Sequence, residues 1–323
     1  MNAGIHPPPK RRWLRFSLRT LLLFTAILSV GFGYLGNELI RYRKHQQAIG
    51  MVRSLGGMYG NSTDDDGEIV YFCSSNNAEL TDEQFRLVVD LPRLKVLEVI
   101  APRLTDQGLE HLRNARGLQR LLLGGTQITA AGIKRLPCSE SLRQVVLAGS
   151  SVNNATVESL ASFKNLEKVA LYETSVTDEA LGHLRGLPSL KHVYLSKNQI
   201  SDLGMRHIAA LTNLKQLELD EPLVSDAGIA ALVKLSLINN LELSGTLITD
   251  QSLVPVSKLT DLRILDVSKT KITDSGLANL KVLPNLRSLL VAPGVPGKCA
   301  DELQAALPSC QIMAGGFIKM HGP

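Results

Sequence analysis

The sequence predicts an α/β solenoid of alternating short strands and short helices, preceded by one membrane-spanning helix. Two observations carry the solenoid. Leu or Ile recurs every 24 residues from Leu94 to Leu286 with no insertion or deletion, and apolar residues stand at fixed offsets inside each period. A third carries the span: Thr20–Gly36 is a 17-residue stretch without charge.

Composition suits stacked layers. Of 323 residues, 44% are apolar but only 4% are aromatic, so Leu, Ile and Val do the packing. Repeats use such a set because every layer needs the same shapes. The net charge of +5 is concentrated at one end: Lys10, Arg11, Arg12, Arg15, Arg19, Arg41, Arg43, Lys44 and Arg53 oppose the single acid Glu38 in residues 1–53. The remaining 26 basic and 29 acidic residues leave no excess of base for a nucleic-acid face.

Taken in order, residues 1–17 read as a basic cytoplasmic tail and 18–40 as the anchor. As a helix the uncharged stretch would run ~26 Å, the short end for a bilayer. The basic residues before it disfavour export of the N-terminus, so everything after it is expected outside the cytoplasm. A cleaved signal peptide is the alternative reading. Residues 41–56 read as a helical linker, with Ala48, Ile49, Val52 and Leu55 on one face and Gly56-Gly57 as its end. Residues 57–93 form an N-terminal cap with two short strands, Met58–Gly60 and Ile69–Phe72, and a degenerate repeat. The acidic run Asp64-Asp65-Asp66-Gly67 between those strands lacks the Glu a calcium loop requires.

Residues 94–292 hold the repeats. With Leu94 and its equivalents as position zero, offsets +3 (Leu97 to Leu289) and +5 (Val99 to Val291) alternate as in a strand and point inward. Offsets +15 and +18 are an i, i+3 pair on one helix face. Residues 293–312 close the stack with a helix near Ala300–Leu307 and a tenth strand, since Cys310 falls on position zero; 313–323 read as a tail.

The pattern resembles the leucine-rich repeat family, LxxLxLxx(N/C)xL, across about residues 70–310. The unit Thr270-Lys271-Ile272-Thr273-Asp274-Ser275-Gly276-Leu277 looks like the helix-bearing class seen in ribonuclease inhibitor, and the basic tail and span look like membrane-anchored bacterial members. The resemblance implies a curved horseshoe, with the parallel sheet on its concave face and helices on the convex one. The usual Asn/Cys column departs here, reading Pro102, Thr126, Ser150, Thr174, Asn198, Pro222, Thr246 and Thr270.

Outward strand positions +2, +4 and +6 have no core duty, so candidate ligand-binding residues are sought there. Glu218, Glu242 and Asp266 occupy +4 in three successive repeats, with Asp220 at +6. Like charges stacked ~4.8 Å apart repel, which suits a cationic ligand. Tyr172, His192 and Tyr194, with Lys168 nearby, form a second candidate patch. The recurring Asp82, Asp106, Asp178, Asp202, Asp226, Asp250 and Asp274 read as helix-dipole partners after Ser/Thr caps. His111, His183 and His207 share one helix position and read as exposed, too few and too far apart for zinc. Cys299 and Cys310 are close enough in sequence for a disulfide in an oxidising compartment. No cofactor, metal or catalytic signature is found, so the chain is expected not to be an enzyme.

The expected function is that of a membrane-anchored extracytoplasmic binding module for a protein, peptide or glycan. An intracellular adaptor and a structural envelope protein are the alternatives.

Overall fold

The computed structural model describes residues 18–61, 68–72, 80–88, 91, 93–137, 140–149, 151–295 and 297–315, without the side chains of 18–28, 31, 61, 72, 87 and 88. Two compact units result, Met1–Gln47 and Ala48–Pro323. A long helix, α1 (Leu18–Ser54), supplies the described part of the first unit. The uncharged stretch begins outside the described side chains, and among the described residues no helix is long and apolar enough to cross a membrane. Of that stretch and its continuation, the large apolar side chains Val30, Phe32, Tyr34, Leu35, Leu39 and Ile40 are all exposed. The acidic run at 64–67 and Cys73 and Cys138 lie outside the described residues.

The described residues of the second unit build one sheet of twelve strands in sequence order. They are β1 (Met58–Asn61), β2 (Glu68–Phe72), β3 (Leu94–Ile100), β4 (Arg120–Gly124), β5 (Gln144–Ala148), β6 (Lys168–Tyr172), β7 (His192–Ser196), β8 (Gln216–Asp220), β9 (Asn240–Glu242), β10 (Ile264–Asp266), β11 (Ser288–Val291) and β12 (Gln311–Ala314). The first pair is antiparallel and the rest are parallel. From β3 to β11 each residue faces the one 24 positions on, as Leu97 faces Leu121 and Leu217 faces Leu241. The sequence period is therefore the sheet register. Every expected inward column is buried, from Leu94 and Leu97 to Leu286 and Leu289, and the +10, +15 and +18 columns fill the space behind the sheet. The end of α1 caps this core with Ala48, Ile49 and Val52, and Gly56, at φ 75°, turns the chain out of the helix. At the far end a helix over Lys298–Ala306 covers the last layer.

Two further columns explain how layers lock. The recurring acids stand in the first turn of their helices after Ser or Thr caps, as the sequence suggests, and they do more than face a helix dipole. Six of the seven accept two hydrogen bonds from the Ser or Thr at the start of the next repeat's helix, and the seventh, Asp274, accepts instead from the backbone N–H groups of Gly297, Cys299 and Ala300. Asp178 takes the Ser201 backbone N–H at 2.8 Å and its hydroxyl at 2.6 Å, and Asp202 does the same for Ser225. Asp82, Asp106, Asp226 and Asp250 repeat the arrangement. The acid needs room, and the facing residue of the next helix is then small: Gly108, Gly132, Gly204, Gly228 and Gly276 lie against these carboxylates. Where Ala130 replaces the acid, the next repeat carries the larger Thr156 at the same place.

The turn after each strand is the second. Position +7 is left-handed at Gly125, Gly149, Glu173, Lys197, Gly245 and Lys269. From β3 to β10 the exceptions are Ala101 and Glu221, and both precede proline, which pushes its predecessor into extended backbone. Both are fully buried. Glu221 is thus turned inward, where its carboxylate accepts the Asn198 backbone N–H at 2.9 Å and the Asn198 side-chain amide at 2.9 Å. Asn198 in turn accepts from Thr174 and donates to the Leu171 carbonyl. A short polar ladder survives where Pro222 interrupts the Asn column.

Candidate functional site: the open face of the sheet

Helices cover one face of the sheet. The other carries positions +2, +4 and +6, and all seven candidate binding residues stand on it. Register places Tyr194 opposite Glu218, Glu218 opposite Glu242 and Glu242 opposite Asp266. One central column therefore reads Tyr–Glu–Glu–Asp across four strands. Tyr172 lies at the +6 edge, opposite Ser196, which faces Asp220. His192 is at +2, opposite Lys168. The sequence treated the aromatic and acidic patches as separate; the structure joins them through the Tyr194–Glu218 pairing.

The acids are better accommodated than stacked like charges alone would be. Asn240 donates to Glu242 at 3.1 Å, the Ser268 backbone N–H donates to Asp266 at 2.8 Å, and the Ser196 hydroxyl approaches Glu218 at 3.5 Å. Glu218 is only 5% exposed, lying at the foot of the patch. The Lys168 ammonium sits 4.2 Å from the centroid of the Tyr194 ring, a cation–π contact within the face itself.

Burial and charge tune these groups. Burial, and then the nearby Glu218 carboxylate, push the Tyr172 hydroxyl well above the usual phenol range and Tyr194 up to about 12. Both stay neutral donors at physiological pH. Burial lowers the His192 pKa despite a hydrogen bond with Gln216, so its ring is neutral at pH 7. Burial also lowers the Lys168 pKa, with Arg120 adding to the effect. Farther along, Arg120 pairs with the largely buried Glu98 at 3.0 Å.

Other candidates resolve differently. Cys299 and Cys310 are free thiols, so the disulfide the spacing permitted is not formed. Burial raises both thiol pKa values, with the Asp274 charge adding to that at Cys299. His183 and His207 are half-buried rather than exposed, and among the described residues no group of three or more His, Cys, Asp or Glu is placed to hold a metal. Asn154, in a glycosylation-type triplet, is bound to Thr177 in the inter-repeat ladder. Glu221 and the acid–glycine pairing escaped the sequence reading; a glycine recurring at +14 in the repeat after five of the acids was the available signal.

Two of the units, residues 186–209 and 258–281, match the family described as Leucine Rich repeat. Together with the 24-residue register of the sheet, this makes the chain a leucine-rich repeat protein. Among solved structures it is similar to internalin C2 of Listeria monocytogenes, at 27% identity over 68% of this chain and 87% of that one, with a TM-score of 0.46. It is similar to internalin F of the same organism, at 14% identity over 85% and 95%, with a TM-score of 0.49. A plant peptide hormone receptor, RGFR1 in complex with RGF2, aligns at 15% identity over 71% of this chain and 37% of the receptor, with a TM-score of 0.44. No curated protein matches the chain.

Proposed function

We propose that this chain is a membrane-anchored, extracytoplasmic binding module that recognises a protein, peptide or glycan on the open face of its sheet and performs no catalysis. One observation carries the reading. The column Tyr194–Glu218–Glu242–Asp266, with Tyr172 and His192 beside it, serves no core function, yet it gathers aromatic and charged groups in strict register. Aromatic side chains beside polar ones are the usual anchors of recognition surfaces. The anchor is supported by the uncharged stretch from Thr20, the basic residues before it and the exposed apolar side chains of Val30, Phe32 and Leu35 within it. Within the family, the helices between strands favour the ribonuclease-inhibitor-like class.

Photo-cross-linking tests the binding face. A benzoylphenylalanine at position 172 or 242 of the full chain in intact cells is expected to trap a discrete partner. The same group at the exposed helix residue Arg206 is expected to trap none. Equal trapping from both faces would count against the reading. Protease added to the same cells should remove the repeats, and full protection would overturn the location.

A further inference from the structure

The outward position nine residues after position zero lies just past each strand, on the rim of the open face. Along the repeats it reads Arg103, Gln127, Ser151, Ser175, Gln199, Leu223, Leu247 and Lys271. Six of these are polar. The two leucines are neighbours, and they are 55% and 45% exposed, so neither contributes to the core. A single exposed leucine means little, but two in adjacent layers of an otherwise polar column form a continuous apolar step ~4.8 Å from strand to strand.

The same two repeats carry three of the four candidate acids of the open face. Glu218 and Asp220 belong to the layer of Leu223, and Glu242 to that of Leu247. Asp220 precedes Leu223 by three residues, so their Cα atoms are within ~11 Å. The Asp220 carboxylate also lies against Gly245 of the next layer, two residues before Leu247 in sequence. No Lys or Arg stands at +2, +4 or +6 of the three repeats that begin at Leu214, Ile238 and Leu262. Apolar rim and acidic floor thus coincide at one place on the solenoid.

We infer that these two repeats form a docking surface for a basic segment of a partner protein, which sets an aliphatic side chain against Leu223 and Leu247 and a Lys or Arg toward Glu218, Asp220 and Glu242. The occupant follows from complementarity. An anionic ligand is repelled by the acids, a glycan can donate its hydroxyls to them but leaves the leucines unmatched, and a purely cationic ligand leaves the leucines wet. A second copy presenting the same face would bring carboxylate to carboxylate. The inference rests on the open-face reading above and gives it a ligand class and a footprint.

The test is panning of a phage-displayed random dodecapeptide library on the full chain in detergent. Enriched peptides are expected to pair Lys or Arg with an aliphatic residue. Their binding is expected to fall about tenfold or more in the E218Q/E242Q double variant and in L223S/L247S. It should hold in Q199S/S175A, which alters the same column elsewhere. All of these substitutions are isosteric or on the exposed rim, so folding is retained, and the thermal transition checks this. Peptides lost only on Y172S/Y194S would overturn the inference while leaving the open face as the binding surface. Peptides indifferent to every one of these variants, or no enrichment over a blank surface, would overturn both.

Discussion

At the scale of single residues, the carboxylates of the inter-repeat ladder show what a side chain can do that its neighbours in sequence do not reveal. Asp202 satisfies a backbone N–H and a hydroxyl of Ser225, one layer away. Replacing it with Ala strands both donors, and Asp202→Ala is expected to cost about 1–3 kcal/mol in denaturant unfolding. Asn is expected to be far milder. Asn154 already fills the equivalent place, accepting from the Thr177 N–H through its carbonyl and donating to the Thr177 hydroxyl through its amide. If Asp202→Asn proves as costly as Asp202→Ala, the ladder depends on charge and not on hydrogen-bond geometry.

Glu221 works in the opposite electrostatic sense. Burial raises its pKa above the ordinary 4.5, and the hydrogen bonds from Asn198 only partly offset that. The folded chain therefore holds this proton more tightly than the unfolded one. Its charged form is a burden at neutral pH, and that burden lifts as pH falls through the raised folded pKa toward 4.5. Relative to Glu221→Ala, the wild-type chain should gain stability across that acidic window. A stability difference that stays flat from pH 7 to pH 4.5 would contradict a buried, strained carboxylate.

At the scale of elements, the acid in one helix sets the residue allowed in the next. A Cβ on Gly204 would stand 2.5 Å from the Asp178 carboxylate and 2.8 Å from Ile200 Cγ2. Gly204→Ala must push these layers apart and is expected to lose about 1–3 kcal/mol. Gly186 is the control. Its added Cβ would meet Ala161 at an ordinary 3.5 Å, so Gly186→Ala should stay within about 0.5 kcal/mol of wild type. Comparing the two by thermal unfolding separates collision with the ladder from any general effect of removing glycine.

The same scale shows what the sequence made legible. Strand and helix faces follow from period, because the offsets +3, +5, +15 and +18 encode direction, and each of those columns proved buried. The open face followed from the same argument, so Tyr172, His192, Tyr194, Glu218, Asp220, Glu242 and Asp266 could be placed in advance. What the period did not encode was contact between layers. The Asp178–Ser201 bonds join residues 23 apart, and nothing local distinguishes that acid from a helix-dipole partner. Glu221 was hidden for another reason: its inward turn comes from the proline after it, which reverses the left-handed turn found in most other layers.

At the scale of the whole repeat unit, stability is a sum over layers and the contacts between them. Truncation of a central column residue should be felt by both neighbours. Leu241, paired in register with Leu217 and Leu265, is fully buried. Leu241→Ala is expected to cost about 2–5 kcal/mol. Hydrogen exchange should report faster opening of β8 through β10, with β4 and β5 little changed. Uniform acceleration along the sheet would mean that the layers unfold as a single body.

The unbroken phase of the chain has an evolutionary consequence. Remove residues 190–213, and Asp178 meets Ser225 and Gly228, the same types of residue it held in Ser201 and Gly204. The scar would be chemically invisible to the ladder. Excision of one residue more or fewer would set the carboxylate at the seam against the wrong partner, while the layers on either side kept their own phase. Such a gene can therefore lengthen or shorten only in whole steps, and each step moves the acidic and aromatic halves of its open face nearer or farther apart. Reach toward a partner is in this sense a heritable integer.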